Sequence, residues 1–66
     1  MTELEAKKRL VADGVRFMQT AQAITPHVNG VFAAAMQRFV MKVFMPYMEA
    51  VAESIRAQEL KDANSN

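Results

Sequence analysis

The chain has 66 residues, a net charge of +1, no Cys and a single His, and 52% of it is hydrophobic. That length allows one small domain, which buries only about 60% of the surface its unfolded form exposes. Disulfides and a Cys/His metal site are excluded, so association is the remaining aid to stability. Acids and bases are interspersed, giving no general pull toward nucleic acid or an anionic membrane.

Ala, Met, Glu, Lys, Arg and Gln are abundant, and these good helix formers predict an all-α fold. The start, MTELEAKKRL, is charged rather than a short basic stretch leading into an apolar run, so no secretory signal is read and a cytoplasmic location is expected. A transmembrane helix needs about 20 mainly apolar residues. The best candidate, VFAAAMQRFVMKVFMPYM at 31–48, is interrupted by Gln37, Arg38 and Lys42.

The first predicted helix covers 3–24. Thr2-Glu3-Leu4-Glu5 fits a capping box, with Thr2 accepting from the Glu5 amide and Glu5 reaching back to the Thr2 amide. Glu3 with Lys7 and Glu5 with Arg9 stand four residues apart in the favourable order. At about 100° per residue, Leu4, Leu10, Val11, Val15, Phe17, Met18, Ala21 and Ile24 share one half of this helix. Gly14 and Ala21 fall near the middle of that arc, one heptad apart, where small residues admit a close neighbour. Gly14 in mid-helix costs about 1 kcal/mol relative to Ala, and close packing would justify it.

A turn is predicted at 25–29. Pro26 biases Thr25 away from helical geometry, and the chain can restart with Thr25 as cap and Pro26 at the first helical position, or with Asn29 capping a helix from Gly30. So short a connection makes the two helices antiparallel neighbours. Helix is then expected over 30–45 and, through Pro46, over 46–61, kinked or broken at the Pro. Residues 1–62 form the single domain, and 62–66 a polar tail.

Two apolar stripes are predicted on the second helix. Phe32, Met36, Phe39 and Val43, flanked by Val28, Val40 and Tyr47, should face helix one. Val31, Ala34, Met41, Met45, Met48, Ala52 and Ile55, with Arg38 among them, lie roughly opposite and need another cover. That cover is the segment after Pro46 folded back, a second copy, or a different protein. Helix one, about 33 Å long, should reach only to about Tyr47, leaving 48–60 for a second subunit. A dimer resembling a four-helix bundle is favoured, and Met suits an adaptable surface.

Lys7, Lys8, Arg9 and Arg16 make a small basic surface that could touch nucleic acid, the competing function class. The second helix is too apolar to read base edges, however, and Glu3, Glu5 and Asp13 offset the cluster. His27 and Tyr47 lack a partnered base or nucleophile, so no enzyme activity, cofactor or metal is expected. The sequence reads as an all-α helical hairpin that binds protein, either another copy or a larger host, in the manner of a small regulator or adaptor.

Overall fold

The computed structural model describes residues 1–64. Helix α1 (Glu3–Ile24) leads into a 3-10 turn at Thr25–His27, followed by α2 (Gly30–Phe39), a π-helical segment at Val40–Phe44, and α3 (Met45–Asn64). The last three run on as one long second arm packed antiparallel to α1, so the protein is an all-α helical hairpin measuring 53 × 20 × 13 Å. The second arm continues through Pro46 and does not fold back. Helix reaches Asn64, three residues beyond the expected end. Of the expected tail, Ser65 and Asn66 lie outside the described residues.

Local chemistry sets the helix ends. Thr2 Oγ1 accepts from the Glu5 amide at 3.1 Å, satisfying one of the free N–H groups of the first turn. Its reciprocal partner differs from expectation: the Thr2 hydroxyl donates to Glu5 Oε1 at 3.1 Å, so the carboxylate meets the hydroxyl rather than the Thr2 amide. Asn29 caps α2 by accepting from the Phe32 amide at 2.8 Å.

Thr25 overturns one expectation, adopting helical geometry at φ −51° and ψ −46° although Pro26 follows it. Two bonds to Ala21 O outweigh the bias, one from the Thr25 amide and one from its hydroxyl at 2.7 Å. The chain changes direction only at Val28 and Asn29, both extended.

The π segment sets the phase of the second arm. Pro46 has no N–H for the Lys42 carbonyl, and in a regular α-helix its ring would press on that carbonyl. Just before it the helix widens, with the Met45 amide reaching back to Val40 O. Such a bulge takes up one extra residue without advancing the face it presents. Met36, Val40, Phe44 and Met48 can therefore follow one another at intervals of four on one side, where a regular helix would drift by about 40° per step.

That rephasing corrects the two-stripe prediction. The line facing α1 is Ala33, Met36, Val40, Phe44, Met48, Ala52 and Ile55, all buried or half-buried; Phe32, Val43 and Tyr47 remain more than half exposed. Met48, Ala52 and Ile55, expected on the far side, pack within the hairpin. Nor does α1 stop at Tyr47: Lys7 Nζ donates to Ser54 Oγ at 2.7 Å and Lys8 pairs with Glu59 at 3.0 Å. The overhang expected at 48–60 is thus covered by α1.

From α1, Leu4, Val11, Gly14, Met18 and Ala21 meet this line, with Gly14 and Ala21 buried and the other three half-buried. An ideal Cβ on Gly14 would lie 2.6 Å from Met48 Sδ and 3.2 Å from Phe44 Cζ. The missing side chain is what brings the helices together here.

The hairpin is under-buried for its mass. It exposes 5291 Å², about 1,100 Å² more than the roughly 4,200 Å² expected of a compact 7.4 kDa monomer. Its radius of gyration is 15.4 Å, against about 11 Å for a globular chain of this length. Ala21 and Val40 are the only buried hydrophobic residues among those described.

Candidate protein-interaction surface

A two-helix hairpin has two broad faces, and here both are apolar. On one, two shallow depressions of about 590 and 300 Å³ meet at Met18 and Met45, which line both. Together they form a groove along the helix–helix junction, bounded by Val11, Val15 and Met18 of α1 and by Met41, Met45 and Met48 of the second arm. Methionine is unbranched and polarizable, so these walls can adapt to a second surface. Polar groups are confined to the rim, at Gln22, Thr25, Gln37 and Glu49.

The opposite face is aromatic. Phe17 meets Phe39 edge-on, with centroids 6.5 Å apart at 71°, and leans against Phe44 at 4.9 Å and 41°. Both separations lie in the range favoured for aromatic pairs. Leu10 and Ile24, one heptad either side of Phe17, extend this face along α1, and Phe32 extends it along α2; all three keep more than a third of their surface.

The eight residues expected to form an interface do not stay together. Ala34, Met41, Met45, Met48 and Ala52 line the groove. Val31, 82% exposed, points away from it, whereas Ile55 is half-buried in the hairpin junction. Arg38 is exposed next to Gln37 on the rim. Met41 and Met45 are the accessible part of the methionine row, at 61% and 44% exposure. Val15, Met18 and Glu49 were missed. Val11, Val15 and Met18 carried the available signal, since their 4, 3 spacing puts them on one side of α1.

The basic cluster is largely engaged within the hairpin. Lys7 lies 3.0 Å from Glu3 in addition to its bond with Ser54. Lys8 is held by Glu59, and Arg9 is 4.0 Å from Asp13. Arg16 is exposed and makes no ion pair among the described residues. These residues do not converge on one concave site.

No helix among the described residues is long and apolar enough to cross a membrane. No protein-family model, curated protein or solved structure matches the chain.

Proposed function

We propose that this chain is a non-catalytic, self-associating helical module whose work is done by covering protein surface. The observation that carries this reading is the excess of exposed surface: a 5291 Å² hairpin with apolar groups on both faces. Its unfolded chain would expose about 10,700 Å², so folding alone removes only about half, short of the roughly 60% usual for a chain this size. Burial against another helical surface would supply the difference, as in a four-helix bundle of two hairpins. Closing a dimer through one face leaves the other outside, which suits a small regulator or adaptor that occupies a site on a larger protein.

Sedimentation equilibrium over a wide concentration range, with circular dichroism on the same samples, tests this. The expected result is a dimer or larger species whose helicity falls on dilution. A fully helical monomer throughout the range would overturn it.

A further inference from the structure

Resting on the self-association just proposed, we infer that the methionine groove is the seat of a second copy of this chain. The copies lie antiparallel, second arm on second arm, about a two-fold axis between Met45 and Pro46. The first argument is area. The surplus of about 1,100 Å² over a compact monomer exceeds the roughly 800 Å² that each partner buries in an ordinary stable complex. Met45, beside the axis and 44% exposed, stands open to receive its own symmetry mate, while Met41, 61% exposed, lies level with Ala50 of the second copy.

The second argument is charge, and it fixes orientation. From Gly30 to Pro46 the second arm carries Arg38 and Lys42 and no acid; beyond Pro46, Glu49 and Glu53 come first. Lys42 stands three residues before Met45, and Glu49 three after Pro46; Arg38 stands seven before and Glu53 seven after. A single dyad at the Met45–Pro46 bond therefore sets Lys42 against the partner copy's Glu49 and Arg38 against its Glu53. Each pair occurs twice by symmetry. Arg38, Lys42 and Glu49 enter no ion pair within the hairpin among the described residues, and Glu53 has only a 3.5 Å contact with Arg56. Of the four, Glu49 lines the groove, and Arg38 and Lys42 directly follow the groove residues Gln37 and Met41 in the chain. A parallel arrangement would bring like charges of the two second arms level instead. On the other face Phe17 already packs against Phe39 and Phe44.

Charge exchange and cross-linking test the arrangement. Arg38→Glu should weaken dimerisation about tenfold at low salt, since two pairs become repulsive. Glu53→Arg added to it should restore most of the loss, and both effects should shrink in high salt. Because the chain has no Cys, Met45→Cys treated with a short bismaleimide should give a covalent dimer, whereas Phe39→Cys should not. A wild-type dimer that ignores Arg38→Glu, lacks rescue by Glu53→Arg, or cross-links through position 39 and not 45 would overturn this inference while leaving self-association intact. A wild-type monomer would remove both.

Discussion

At Gly14 a single hydrogen in place of a side chain determines how closely the arms approach. A Cβ there would press on Met48 Sδ and Phe44 Cζ, two atoms in the middle of the junction. Gly14→Ala has opposing consequences: about 1 kcal/mol of helix propensity is gained, while the flexible Met48 and the Phe44 ring must shift by a fraction of an ångström. A net change within about 1 kcal/mol is expected. Gly14→Leu keeps good helix propensity but adds a branched side chain to a junction without room, and overpacking of that kind costs about 1–3 kcal/mol. In a chain this short that lowers the melting temperature by about 7–20 °C, measured by circular dichroism at one fixed protein concentration. Gly30 provides the control. Nothing lies within 4 Å of its ideal Cβ and its φ is not positive, so Gly30→Ala should stabilise by about 0.4–1 kcal/mol through the unfolded chain.

The elements show what could be read from the sequence and what could not. Helix ends were legible because they depend on neighbours a few residues away: Thr2 caps Glu5, Asn29 caps Phe32, and Pro26 stands at the start of the 3-10 turn. The close approach at Gly14 and Ala21 was legible too, since heptad spacing needs only a regular helix. The candidate surface was partly legible: Ala34, Met41 and Met45 fall on the groove, Met48 and Ala52 line it from within the hairpin junction rather than from the far side, and Ile55 is half-buried in that junction away from it. Counting at about 100° per residue assumes a uniform helix, and the π segment before Pro46 breaks that assumption by one residue. The same reasoning makes a prediction. Deleting Val43, which is exposed, would let Val40–Phe44 close into an ordinary α turn while keeping Phe44 and Met48 in phase. Pro46 would then sit in a regular helix at a cost of roughly 3 kcal/mol. Pro46→Ala should recover most of that in the deleted chain and do little in the intact one, because there the bulge has already accommodated the ring. Thermal denaturation of the four chains checks this, and equal effects of Pro46→Ala in both backgrounds would refute the link between Pro46 and the bulge.

Over the whole molecule, the length of the arms decides stability. Two helices touching along one seam leave the outer half of each in water, and a 53 × 20 × 13 Å rod cannot enclose a core as a compact bundle does. On the self-association proposed above, folding and assembly are coupled, and the folded state gains free energy with concentration. Each tenfold dilution of a dimer removes about 1.4 kcal/mol, spread over the unfolding entropy of two chains, so the melting temperature should fall by about 5 °C per decade. Met45→Glu offers the sharper contrast. At 44% exposure in the hairpin a carboxylate at this position keeps access to water in the monomer, but against a second copy it would be buried without a partner. The variant should sediment as a monomer, with reduced helicity and a melting temperature that no longer moves with concentration. If it instead retains the wild-type slope, the surface that stabilises the hairpin lies elsewhere, and the aromatic face around Phe17 becomes the one to alter next.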